Sequence, residues 1–98
     1  MTTAGPALEH FLVEWHRPAI ADEPLDRSVA RLMECAAAIS AAGSPVGLLA
    51  TLAVPADEIV LAVFDSASEQ SVAEVCRQAG CPAHRLTAAV HARIWRET

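Results

Sequence analysis

Ala67-Ser-Glu-Gln-Ser-Val-Ala-Glu-Val-Cys-Arg-Gln-Ala-Gly80-Cys-Pro-Ala-His-Arg-Leu86 decides the fold. The stretch contains a helix, its stop signal and the entry to a strand. Ser66 and Glu69, three residues apart, match a capping box, in which hydroxyl and carboxylate each satisfy one orphan amide. Val72, Val75, Cys76 and Ala79 recur at helical spacing and form the inner stripe of a second helix. Gly80 suits the left-handed cap that ends a helix, and Pro82 prevents continuation. Leu86 to Trp95 then reads as the last strand, strand 4.

Upstream, Glu58 to Asp65 is apolar on both faces and reads as strand 3. Pro55-Ala-Asp-Glu58 is a turn whose proline pre-sets the backbone. Val46 to Val54 is strand 2, so strands 2 and 3 form a hairpin. Before it, Leu25, Val29, Leu32, Met33, Ala36 and Ile39 share one face of a helix from about Pro24 to Ala42. Asp22 caps its start, Pro24 fits its first turn, and Gly43 with Pro45 stops it. His16 to Pro24 is a loop, and Glu9 to Trp15 is strand 1. The order βαββαβ predicts one α+β domain over 1–98, a ferredoxin-like sandwich. Its two helices cover one face of a four-stranded antiparallel sheet, and residues 1–8 form a flexible lead.

Composition narrows the function. The chain has 98 residues, 53% hydrophobic, with formal net charge −5. All seven basic residues are arginines without a basic run, which argues against a phosphate-binding surface for nucleic acid. Aromatics are too few for a base-stacking platform. No apolar stretch reaches the ~18 residues of a membrane span, and the N-terminus lacks the pattern of a signal peptide. A cytoplasmic protein with no membrane partner is expected, its three cysteines reduced thiols. Cys35 and Cys76 read as core residues, whereas Cys81, in a Gly-x-Pro turn, reads as partly exposed. The apolar surplus points to a homodimer through the uncovered sheet face.

The candidate chemistry lies on that face. Alternation places Phe11, Val13 and Trp15 on one side of strand 1 and His10, Leu12, Glu14 and His16 on the other. On strand 4, Leu86, Ala88, Val90 and Ile94 face one way, and His91, Arg93 and Trp95 the other. With the bulky apolar sets under the helices, His10, Glu14, His91 and Arg93 gather on the open face. Imidazole and carboxylate suit divalent transition metals, so His10, Glu14, His16 and His91 are the candidate ligands. His10 and Glu14 stand roughly 13 Å apart along the strand and cannot share an ion within one subunit. Three registers remain open: His10 opposite His91, Glu14 opposite His91, or Glu14 opposite Arg93 with His16 facing His91. Each yields one pair, so a full site needs a second subunit, another loop or water. A hydrogen-bonded polar cluster in a dimer interface would look the same. His84, in a turn, reads as solvated. The chain has no Gly-x-Ser-x-Gly, phosphate loop or His-Glu-x-x-His.

Phe64-Asp-Ser-Ala-Ser-Glu-Gln-Ser-Val72 and Arg77-Gln-Ala-Gly-Cys-Pro-Ala-His-Arg-Leu86 resemble the small nickel-binding ferredoxin-like proteins of GC-rich bacteria, long catalogued as a domain of unknown function. Phe11-Leu-Val-Glu14 looks like that family's opening strand, and Pro18 matches a proline frequent in its next loop. The resemblance covers residues 10 to about 94. It implies a non-catalytic binder of Ni(II) or another divalent transition metal. The chain departs from the family pattern at His84, where an acidic residue is usual, and near His16, where an acid or amide is common. Strand 3 also lacks the cysteine often found at the position of Ala62 or Val63. Two other functions remain open. One is a cofactor-free enzyme of the dimeric α+β-barrel type, with His91, Glu14 or His16 as acid or base, by fold analogy. The other is an interaction module that recruits a partner chain.

Overall fold

The computed structural model describes residues 8–16 and 25–90. Element order is β1 (Glu9–His16), α1 (Leu25–Ala41), β2 (Val46–Val54), β3 (Ile59–Ser66), α2 (Glu69–Gln78) and β4 (Arg85–Val90). The four strands form one antiparallel sheet of order β2-β3-β1-β4. This is the ferredoxin-like α+β sandwich that the βαββαβ order predicts. The expected Asp22 cap, Pro24 and Pro18 fall outside the described residues, as does the expected extension of strand 4 from His91 to Trp95.

Strict alternation decides the layers. Phe11, Val13 and Trp15 on β1 are buried, as are Val60, Ala62, Phe64 and Ser66 on β3. They meet Leu32 and Ala36 of α1 and Val72, Val75 and Cys76 of α2 in a single core. The sequence periodicity places Met33 on the inner face of α1, but its side chain is 56% exposed. Ser28, fully buried, lies one turn before Leu32 and takes the inner position instead. Cys35 and Ile39 complete the stripe at the core's edge. Arg31 ties the helices together by donating from Nε to the Ala79 carbonyl at 3.0 Å, near the end of α2.

Both helices end on a glycine with a left-handed backbone: Gly43 at φ 110° and Gly80 at φ 82°. At Gly80 two hydrogen bonds close the turn: the Cys81 amide to the Cys76 carbonyl, 3.0 Å, and the Gly80 amide to the Arg77 carbonyl, 3.1 Å. This pair is a Schellman motif, which satisfies the last carbonyls of the helix.

The start of α2 differs from the capping box read in the sequence. Ser68, not Ser66, is the N-cap, accepting from the Ser71 amide at 3.2 Å. Strand β3 runs one residue further than expected and draws Ser66 into the sheet. There its hydroxyl donates to the Pro45 carbonyl (3.0 Å) or the Ser68 carbonyl (2.9 Å) and accepts from the Ser68 amide (3.2 Å). The two serines therefore have different expected costs. Ser68→Ala removes the half-buried cap of α2, about 1 kcal/mol. Ser66→Ala removes a buried hydroxyl together with its bonds to the half-buried backbone of Pro45 and Ser68, about 1–3 kcal/mol. Urea denaturation of both variants reads the difference, and a larger loss in Ser68→Ala would restore Ser66 to a minor role.

Candidate functional site

The face of the sheet that neither helix covers carries Leu12 on β1, Leu61 and Val63 on β3, and Leu52 on β2, with polar residues at its two ends. Register places the polar groups. Glu14 lies opposite Arg85 and Leu61, Leu12 opposite Thr87 and Val63, and His10 opposite Val90 and Asp65. Between His10 and Leu12 the ladder to β4 is irregular: two steps along β1 correspond to three along β4. That extra residue interrupts the alternation assumed for strand 4.

None of the three registers considered from the sequence is the one formed. Glu14 pairs with Arg85 rather than with His91 or Arg93, and His10 pairs with Val90 rather than His91. His91 and Arg93 themselves lie outside the described residues. His10 and Glu14 stay four residues apart on β1, at different cross-strand positions. Of the sequence-predicted ligands, the structure brings Glu14 and His16 together.

At that end of the sheet Glu14 holds two neighbours. Its Oε1 lies 3.4 Å from His16 Nε2, and its Oε2 lies 3.6 Å from Arg85 Nε. The Glu14 side chain is 18% exposed, against 50% for His16 and 72% for Arg85. Glu14 is thus an ion-paired residue, though with a different arginine from the one anticipated. Pairs this long and this exposed at one partner contribute at most about 1 kcal/mol to stability.

His84 is the member that sequence reasoning set aside. Its amide donates to the Glu14 carbonyl at 3.0 Å, continuing the ladder one step before β4. Its Nδ1 accepts from the His16 amide at 3.3 Å, and the two rings lie 6.1 Å apart between centroids. The helix stop at Gly80 and Pro82 held the signal, because it sets where β4 begins. The residue at the head of β4 must meet the tail of β1.

The donor chemistry is therefore one carboxylate and two imidazoles, but not a closed set of ligands. The His84 Nδ1 lone pair is engaged by the His16 amide, which sets that ring apart from the Glu14–His16 pair. Among the described residues no cluster of three or more His, Cys, Asp or Glu side chains is placed to hold a metal ion. Among the described residues of one chain, Glu14 and His16 are a pair of adjacent donor groups and no more.

The cysteines hold no site of their own. Cys76 and Cys81 are buried and Cys35 half-buried, so Cys81 is less accessible than its turn position suggests. Burial, reinforced by the nearby Cys81, pushes the Cys76 thiol from 9.0 up to about 12. At neutral pH it is a protonated core residue, neither nucleophile nor ligand. Every buried side-chain nitrogen and oxygen among the described residues has a hydrogen-bond partner. One groove, between α1 and α2, is lined by Ile39, Ser68, Ser71, Glu74 and Arg77. Another, beside α2, is lined by Glu69, Arg77, Pro82, His84 and Leu86. Glu14 and His16 line neither of these. No helix among the described residues is long and apolar enough to cross a membrane. Compared with protein-family models, curated proteins and solved structures, the chain matches none.

Proposed function

We propose that this is a cytoplasmic, homodimeric protein that binds a divalent transition metal, Ni(II) foremost, at the polar end of its uncovered sheet face, without catalysis. The observation that carries the reading is the Glu14–His16 pair. A carboxylate that accepts a hydrogen bond from the Nε2–H of an imidazole leaves the Nδ1 lone pair for an ion. Such carboxylate–imidazole pairs orient the ring and raise its basicity as a ligand. Half of the His16 side chain is exposed, so an ion can reach it from solvent.

The homodimer supplies what one chain lacks. His10 shares the uncovered side of β1 with His16 but sits about 20 Å away along the strand. A second sheet packed face to face doubles the available imidazoles and carboxylates. The apolar middle of the face, Leu12, Leu61 and Val63, supports the same packing. The choice of nickel rests on the resemblance of the α2–β4 segment to nickel-binding proteins, since imidazole and carboxylate also suit copper and zinc.

Equilibrium dialysis against Ni(II), followed by elemental analysis of tag-free protein, tests the reading. Saturable binding near one ion per chain or per dimer is expected. His16→Ala should abolish it, and Glu14→Gln should weaken it about 10- to 100-fold, as for other groups that orient a ligand. A His91→Ala variant reports whether the last segment contributes. Absence of saturable binding by the unaltered protein, or full binding by His16→Ala, overturns the assignment.

A further inference from the structure

We propose that β2 pairs edge to edge with β2 of a second copy, antiparallel about Leu52, to make one continuous sheet. This goes beyond the metal reading and does not rest on it.

Among the described residues, strand β2 has β3 as its one neighbour, and one row of its backbone amides and carbonyls points away from that sheet. Edge strands are usually guarded by charge, proline, brevity or a bulge, because an unguarded edge templates another strand. Val46-Gly-Leu-Leu-Ala-Thr-Leu-Ala-Val54 is nine residues long, without a charge or a proline. Among the described residues its one guard is an irregularity between Leu48 and Ala50. Beyond that point Ala50 to Val54 pairs residue for residue with Val63 to Ile59, a regular run on whose outer edge no described strand pairs. The opposite edge strand, β4, opens on a charged residue, Arg85.

Side-chain exposure marks the same run. Leu52 is 59% exposed, the highest value among the large apolar side chains described. Ala50 and Ala53 beside it are exposed as well. A two-fold axis at Leu52 sets Leu52 against its own copy, Ala50 against Val54, and Thr51 against Ala53. All these cross-strand pairs are uncharged, and apolar pairs of this kind stabilise a ladder. The chain carries a net charge of −5, and along this strand two copies can meet without like charges facing. It offers no charge by which to select an acidic or basic partner of another sequence. These features favour a copy of itself as the occupant.

Two variants separate edge pairing from packing through the sheet face. Thr51 and Ala53 lie opposite Ala62 and Val60 and share their helix side of the sheet. In T51K/A53K the paired strands would set lysine against lysine twice, while the uncovered face stays unaltered. Leu61→Lys charges the middle of that face, one strand in from the edge. Far-UV circular dichroism confirms that each variant folds.

Sedimentation velocity over a concentration series, with amide hydrogen exchange resolved for residues 50–54, then decides. The unaltered protein should protect alternate amides of this run increasingly with concentration. T51K/A53K should lose that protection and halve the associated mass, whereas Leu61→Lys should keep the protection. Equal exchange at all concentrations in the unaltered protein overturns the proposal, and so does unchanged mass and protection in a folded T51K/A53K. If the double variant fails to fold, the exchange series on the unaltered protein decides alone. Nickel dialysis of the same proteins is read separately, so failure of the edge leaves the metal assignment standing.

Discussion

Trp15→Ala is expected to lower the free energy of unfolding by about 3–5 kcal/mol, the cost of truncating a large aromatic in a packed core. Trp15 is 1% exposed on the central strand β1, among the largest fully buried side chains. Its Nε1 donates to the Cys81 carbonyl at 2.8 Å, across 66 residues of sequence. One ring thus fills the core and fastens the turn after α2 to the first strand. Trp15→Phe separates the two roles: an aromatic ring remains while the donor is lost, for about 1–2 kcal/mol in total. A domain of this size has roughly 5–15 kcal/mol of stability in all. The alanine variant should therefore show a much earlier urea midpoint by circular dichroism, and the phenylalanine variant an intermediate one. Equal losses in both would mean that the hydrogen bond, rather than the packing, carries the effect.

The second large effect is alkaline. Cys76 is fully buried, and its thiol is held near 12 in the folded protein, against 9.0 when free. Below pH 9 the thiol is protonated in both states and favours neither. Above pH 9 the unfolded chain releases the proton first, so stability falls as pH rises and levels off once the folded thiol also ionises near 12. A gap of that size corresponds to roughly 4 kcal/mol over the window. The sequence makes the measurement clean, because it contains neither lysine nor tyrosine. Arginines stay charged throughout, so no cationic or phenolic side chain adds to the alkaline fall, and Cys76→Ala isolates the contribution of this thiol. Urea midpoints measured from pH 8 to 11 should fall steeply for the unaltered protein and much less for Cys76→Ala. Parallel slopes in the two proteins would remove Cys76 as the cause.

The fold was legible because its signals are local. A glycine then a proline ended each helix, and alternation separated the buried from the open side of β1. The hairpin of β2 and β3 followed from its turn. What escaped depended on sliding one element against another. Alternation assigns Glu14 to a face, but it does not say whether Arg85, His91 or Arg93 stands opposite. The irregularity between His10 and Leu12 leaves no mark in composition. The cap was misassigned because two serines, at 66 and 68, both precede a helix-start pattern. Which one caps depends on how far β3 extends, and that is settled by the Pro45 carbonyl, 21 residues upstream of Ser66. His84 was set aside for a related reason. A turn residue reads as solvated until the ends of β1 and β4 are known to meet.

The strand order has a consequence in time. β1 is translated first, yet it sits in the middle of the sheet between β3 and β4, the two partners it hydrogen-bonds. Neither follows it closely in the chain. The β2–β3 hairpin closes with a short connection and meets little entropic resistance, while β1 waits through a long loop closure at each side. Contacts of this separation slow folding relative to local ones. On the ribosome, the central strand therefore stays unpaired until β3 has emerged, and its second edge stays open until β4 follows. Completion of the sheet waits for β4, and a chain arrested before Arg85 would expose the apolar flank of β1 to its neighbours.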